Sequence, residues 1–210
     1  MTLLFIFDMD DVLYGYDWKV RMAGMTALTG LSLDELRERW WHDEGEWKAE
    51  AGGYATAEDY LTAFSAAIGV DVDENEWVRV RGAAMTPWFD SIAAVRRAAE
   101  LGKITLLTNN GALSHKHLAT LAPELVELFG DDLLSSSYYG ARKPNPVVFE
   151  RVLEAYGTPA SDAFFADDMK QNVAGARSVG ITAHHFTTPQ KLLTAIEKFA
   201  RKRGARTPTR

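Results

Sequence analysis

Three carboxylates close the run Leu3-Leu4-Phe5-Ile6-Phe7-Asp8-Met9-Asp10-Asp11. Five apolar residues in succession fit a strand covered on both faces, as in the middle of a parallel sheet. Ligands of α/β sheets sit in the crevice outside the strands' carboxyl ends, and Asp8 and Asp10, one residue apart, would both project into it from the same side. Carboxylates that close repel unless a cation or a shared proton relieves them, and a hard divalent ion with oxygen ligands is the usual relief. Mg2+ is therefore the expected cofactor. Polar groups recur in later segments: Thr108 and Asn109 after Ile104-Thr105-Leu106-Leu107, Lys143 before Pro144, and Asp167 with Asp168 after Ala163-Phe164-Phe165-Ala166. A third carboxylate from a distant strand would complete a metal site that two hold loosely, while a hydroxyl, an amide and an ammonium would face an anion. Phosphoryl transfer needs that combination: in-line attack, neutralised equatorial oxygens and a proton for the leaving oxygen.

These groups can meet only if the chain between them alternates strand and helix. The pattern predicts a helix over 89–101 stopped by Gly102, the strand ending at Thr108, and a helical region to about Leu128 that Pro123 interrupts. Leu133-Leu134-Ser135-Ser136 follows as a weaker strand. A helix over 146–156 then ends at Gly157, the strand 163–166 leads to a helix over 171–179, Ile181 to Phe186 forms the last strand, and a final helix starts near Pro189. This is an α/β fold: a doubly wound, parallel, five-stranded sheet with right-handed crossovers. Between the first strand and residue 88 the pattern is helical. Ser32 with Glu35 and Thr56 with Asp59 resemble capping boxes for helices over 33–49 and 57–68, and Asp73 with Glu76 opens a third running toward Thr86-Pro87. Val12 to Asp17 reads as a turn-like connection. The expected division is a core of residues 1–13 and 88–200, a small helical insert over 14–87, and a disordered basic tail over 201–210.

Composition narrows the chemistry. The 210 residues contain no cysteine, which excludes disulfides, thiolate metal sites and cysteine nucleophiles, and suits a reducing cytoplasm. No apolar run approaches the ~20 residues that span a bilayer, and the N-terminal residues lack the basic and long apolar regions of a secretory signal, so a cytoplasmic location is expected. A net charge of -6 argues against nucleic acid as a partner. The expected partner is a small phosphorylated metabolite, handled by a monomer or homodimer.

The order Phe7-Asp8-Met9-Asp10-Asp11-Val12-Leu13, Leu106-Leu107-Thr108-Asn109-Asn110, Lys143-Pro144 and Asp167-Asp168-Met169-Lys170-Gln171-Asn172-Val173-Ala174-Gly175-Ala176 resembles the four motifs of the haloacid-dehalogenase-like hydrolase superfamily, and the helical insert is similar to its mobile cap. Glu50-Ala51-Gly52-Gly53-Tyr54 and Glu58-Asp59-Tyr60-Leu61 resemble the sugar-phosphate phosphatases of the glucose-1-phosphatase kind. The resemblance implies a Rossmann-like core and a Mg2+-dependent phosphatase. Asp8 would be the nucleophile, carrying an aspartyl-phosphate, and also a metal ligand. Asp10 would be the general acid and then base, with its backbone carbonyl on the metal. Thr108 and the Asn109 amide would hold the phosphoryl group, Lys143 would neutralise Asp8 and phosphate, Asp168 would bind the metal directly, and Asp167 would act through water or as a supporting group. Superfamily dehalogenases lack an acid two positions after the nucleophile, so Asp10 favours phosphate esters over carbon–halogen bonds. Asp11 stands where many members have glycine.

Rival readings are a sugar phosphomutase of the same superfamily, a receiver-type signalling module, and a non-catalytic binding relative. Receivers accept phosphate on a later strand and are about half this length. His184 and His185 lack an acidic partner at metal spacing and read as packed or edge residues. His115 and His117 read as solvated helix positions, and the insert's tryptophans as core, with Trp47 and Lys48 the pair best placed to touch a substrate.

Overall fold

A computed structural model describes residues 2–204. Six strands form: β1 (Leu3–Phe7), β2 (Tyr14–Tyr16), β3 (Met85–Pro87), β4 (Gly102–Leu106), β5 (Ala163–Asp167) and β6 (Thr182–His185). Four make a parallel sheet in the order β4-β1-β5-β6. The expected fifth strand is reduced to one parallel bridge, Thr108 to Ser135. The cause is polar: Ser135 and Ser136 are buried, but their hydroxyls engage Ser137 and Glu50 instead of continuing a ladder.

The helices of the insert are α1 (Trp18–Thr29), α2 (Leu33–Arg39), α3 (Lys48–Glu50), α4 (Ala57–Ile68) and α5 (Glu74–Gly82). Those of the rest are α6 (Phe89–Ala99), α7 (Ala112–Lys116), α8 (Leu118–Leu121), α9 (Pro123–Phe129), α10 (Pro146–Tyr156), α11 (Lys170–Ser178) and α12 (Pro189–Lys202). The side-chain period of two splits β1 between two cores. Leu3, Phe5 and Phe7 face α6, α9 and α12 through Val95, Phe129 and Phe199, while Leu4 and Ile6 face α10 and α11 through Phe149 and Val173. Helices on both faces make the sheet doubly wound, as expected. A third core, around Trp40, Tyr60, Phe64 and Trp77, is built by the insert's helices together with Leu113 of α7.

Both expected capping boxes form, at Ser32 and Thr56, and α4 spans the predicted 57–68. The helix expected over 33–49 instead stops at Arg39. Trp40 turns inward against Tyr54, Tyr60 and Phe64, and the chain resumes as a π-helical turn, Asp43–Trp47, before α3. Burying an indole there outweighs the few tenths of a kcal/mol of helix propensity per residue. The edges of the insert are extended: β2, expected as a turn, pairs antiparallel with β3, where helix α5 was expected to continue. Arg201 and Lys202 complete α12, and residues 205–210 of the expected tail lie outside the described residues. No helix among the described residues is long and apolar enough to cross a membrane.

Candidate active site

The strand register brings the acidic groups together. Phe7 of β1 pairs with Ala166 of β5, so Asp8 and Asp167, one residue further, lie side by side at the carboxyl edge, with the Asp8 N–H donating to the Ala166 carbonyl at 3.0 Å. On its other side β1 pairs with β4, which places Thr108 at the same edge. Since the chain leaves β1 for neighbours on either flank, this edge is a topological switch point.

Lys143 reaches this edge from the loop before α10. Its side chain is almost wholly enclosed, and Nζ lies 2.8 Å from Asp8 Oδ1 and 2.7 Å from Asp167 Oδ2. Burial works against the charged ammonium, but Asp167 and Asp8 outweigh it and hold the lysine protonated. The loop itself is clamped by Asn109: its carboxamide Nδ2–H donates to the Lys143 carbonyl and its Oδ1 accepts the Lys143 N–H, both at 2.9 Å. The Asn109 side chain therefore supports the lysine, and its contribution toward an anion is left to its backbone N–H. Behind the loop, a Cβ on Gly175 of α11 would lie 2.3 Å from the Pro144 carbonyl oxygen, so only glycine permits this approach.

Asp167 accepts four hydrogen bonds, from Lys143 Nζ, from the Met169 N–H at 2.8 Å, and from Asn172 Nδ2 at both oxygens, 3.0 and 3.1 Å. Burial opposes its ionisation, yet Lys143 and these donors keep its carboxyl below the usual range. Asp8 is the opposite case. Burial pushes its carboxyl well up, Lys143 pulls it back and Asp167 adds to the rise. Asp168 is partly exposed, and burial together with Asp167 and Asp11 pushes it up to about 6. Ligand oxygens of Asp8, Asp167 and Asp168 lie within 4.8 Å of one another. These three carboxylates face one ammonium, which leaves two formal negative charges, so the donor set fits a hard divalent cation.

Asp10 stands apart from that cluster. Its Oδ2 is held by Arg81 Nη2 of α5 at 3.0 Å, and Arg81 Nη1 donates to the Tyr16 hydroxyl at 3.1 Å. Asp11 takes the left-handed conformation with φ 56, the one described non-glycine residue to do so, and its Oδ1 accepts the Tyr16 N–H at 3.1 Å in partial compensation. Thr108 is buried, and its Oγ1 accepts from Asn110 Nδ2 at 2.8 Å, leaving its own proton free to donate.

Of the other marked residues, His184 and His185 are packed as expected, His184 on Phe164 and His185 against the Asp168 carbonyl. His115 and His117 are half-buried: His115 stacks on Tyr138, and His117 joins Lys116 on Glu74, tying α7 to α5. Trp47 is exposed beneath the Arg142 guanidinium, and Lys48 lies over Tyr54. Sequence reasoning missed Arg81, Asn172 and the Glu50–Arg142 pair. Asn172, five residues after Asp167 in the first turn of α11, could have been found from its spacing. Arg81 carries no local signal.

The family pattern described as haloacid dehalogenase-like hydrolase matches residues 2–180. A phosphatase of Mycobacterium tuberculosis is 29% identical over 191 residues, covering 85% of this chain and 84% of its own length. An enzyme of the same superfamily from Bacteroides thetaiotaomicron, solved with magnesium and inorganic phosphate, has a TM-score of 0.72 at 18% identity over 89% of this chain and 95% of that one. A 2-haloacid dehalogenase from Pseudomonas syringae pv. tomato has a TM-score of 0.64 at 18% identity over 95% of this chain and 100% of its own. At such identities the two solved structures share the fold alone. The family match spans the acidic strand end, the clamped lysine and the paired aspartates alike, and the chain belongs to the haloacid dehalogenase-like hydrolases.

Proposed function

We propose that this hydrolase is a Mg2+-dependent phosphomonoesterase acting on a small phosphorylated metabolite, a sugar phosphate, through an aspartyl-phosphate. The observation that carries the reading is the Lys143 ammonium between Asp8 and Asp167, beside the carboxylate of Asp168. An Asp8 oxygen attacks phosphorus in line while the bond to the leaving oxygen breaks, and Asp10, entering as the acid with its Oδ2 on Arg81 and the proton on Oδ1, protonates that oxygen. Lys143, the Thr108 hydroxyl and the Asn109 N–H hold the phosphoryl oxygens. Water then attacks the phosphorus of the aspartyl-phosphate, Asp10 takes its proton, and phosphate leaves as Asp8 is regenerated. Asp8, Asp168 and the backbone carbonyl of Asp10 would hold Mg2+, with Asp167 as support, and the chemistry it supplies is charge neutralisation on the phosphoryl oxygens. Asp10 favours an ester over a halide substrate, because only an alkoxide leaving group needs its proton. The phosphatase of Mycobacterium tuberculosis adds weight to this choice.

The test is phosphate release from a panel of sugar phosphates and small phosphoesters, with and without Mg2+, for the wild type and Asp8→Asn. Release that needs both Mg2+ and Asp8 is expected. An asparagine variant as fast as the wild type would refute the nucleophile, and turnover of sugar phosphates without free phosphate would make the enzyme a mutase.

A further inference from the structure

The insert forms a wall directly over the Thr108–Gly111 loop. A Cβ on Gly111 would lie 3.0 Å from Ala49 Cβ and 3.2 Å from Tyr60 Cδ2, so the two layers touch there. Ser136 joins them again: its Oγ accepts the Asn110 N–H at 3.2 Å and donates to the Glu50 carbonyl at 2.7 Å. Glu46 belongs to this wall. Its Oε2 accepts from Trp40 Nε1 and from the Tyr60 hydroxyl, both at 2.6 Å, which locks the side chain. Oε1 has no protein donor among the described residues and is not sealed from solvent. A fixed, open carboxylate oxygen above a phosphate loop is an acceptor for a donor on the substrate.

The cations of the wall are already engaged. Arg81 is paired with Asp10, Arg142 with Glu50 at 2.6 Å, and Arg21 lies over the Trp77 ring with Nη1 on the Trp77 carbonyl. Arg21 thus has only neutral hydrogen-bond and ring partners, and its charge offsets that of Glu46 close by.

We infer that Glu46 is a specificity-determining residue: its free oxygen accepts a hydrogen bond from a hydroxyl of the leaving group, selecting polyhydroxylated monophosphates over alkyl phosphates. This rests on the phosphomonoesterase reading and deepens it. Trp47 and Lys48 carry donors only and so offer no acceptor to such a hydroxyl.

The experiment compares kcat/KM for a set of sugar and polyol monophosphates with their deoxygenated analogues, for example glucose 6-phosphate against cyclohexylmethyl phosphate. It is run on the wild type, Glu46→Gln, Glu46→Leu and Tyr60→Phe, each checked by thermal melting. A hydrogen bond to a charged acceptor predicts a wild-type preference for the best hydroxylated substrate of roughly tenfold to a hundredfold. Glu46→Leu should remove most of that preference, chiefly through KM of the hydroxylated substrate. Glu46→Gln must keep its amide oxygen on Trp40 Nε1 and Tyr60, which turns its NH2 to the substrate and replaces a carboxylate acceptor by a neutral donor to the hydroxyl oxygen, so it should remove part of the preference, and Tyr60→Phe, which frees the carboxylate to move, a smaller part. If Glu46→Leu does not fold, the other two variants carry the test. A preference unchanged in the variants, or an equal loss on both substrate types, would overturn the inference while leaving the phosphomonoesterase reading intact. A wild type that releases no phosphate from any substrate with Mg2+ would refute that reading, and the inference with it.

Discussion

Replacing Lys143 by methionine removes the one cation between two buried carboxylates while nearly keeping its volume. At an effective dielectric near 20, ion contacts of 2.8 and 2.7 Å are each worth about 6 kcal/mol of attraction. Stripping water from the ammonium and the carboxylates takes back several kcal/mol, so the expected loss of stability at about pH 7.5 is roughly 3–5 kcal/mol, as for other buried pairs that lose one partner. The pH dependence should also tilt further toward acid. In the wild type the Asp167 carboxyl is held below its ordinary value, so its contribution is present above about pH 4 and lost as pH falls, while Asp8, held well above its ordinary value, works in the opposite sense. Without Lys143, Asp8 and Asp167 relieve their repulsion by taking up a proton, which raises a carboxyl above its unfolded value. Their contribution is then present below about pH 4 and lost as pH rises. Urea unfolding at about pH 5 and about pH 7.5 measures both effects. Excess Mg2+ should stabilise the variant more than the wild type, because a divalent ion substitutes for the missing charge. Phosphate release should fall by about 10²–10³. A variant within about 1 kcal/mol of the wild type at the higher pH without metal, with the same slope between the two, would refute the electrostatic account.

Further outcomes follow from the same geometry. Asp168, pushed up to about 6, must ionise to hold a cation, so Mg2+ affinity by calorimetry should fall about tenfold per pH unit below that value, and Asp168→Asn should flatten the profile. Gly175→Ala should lower stability by about 1–3 kcal/mol and reduce phosphate release, because its Cβ would displace the Pro144 carbonyl and with it Lys143. Burial, with Glu46 beside it, pushes the Glu50 carboxyl up to about 7. Its contribution to stability is therefore present below about pH 4.5 and lost as pH rises toward 7, by at most about 3 kcal/mol, and Glu50→Gln should flatten that part of the melting profile.

What could be read from sequence was local or ordered along the chain. The alternation of strand and helix, the capping boxes at Ser32 and Thr56, and the carboxylates at the ends of β1 and β5 follow from short-range periodicity and composition. Those carboxylates could be paired in advance because successive parallel strands present their ends at one edge of a sheet. Helix 33–49 and the strand at Leu133 to Ser136 failed where a tertiary contact overrode a local preference: the burial of Trp40, and the serine hydroxyls that tie the core to the insert.

The far wall of the site was invisible for a different reason. Arg81 meets Asp10 across 71 positions and Arg142 meets Glu50 across 92, and neither partner announces the other in spacing or composition. Their encounters depend on how a separately cored set of helices settles on the sheet, a question of packing and shape that no repeat in the chain encodes. By itself the sequence determined the chemistry of the edge, with its carboxylates, its lysine and its hydroxyl. Only the tertiary structure decided what lies opposite, because long-range ion pairs and locked acceptors such as Glu46 come into being when two surfaces meet.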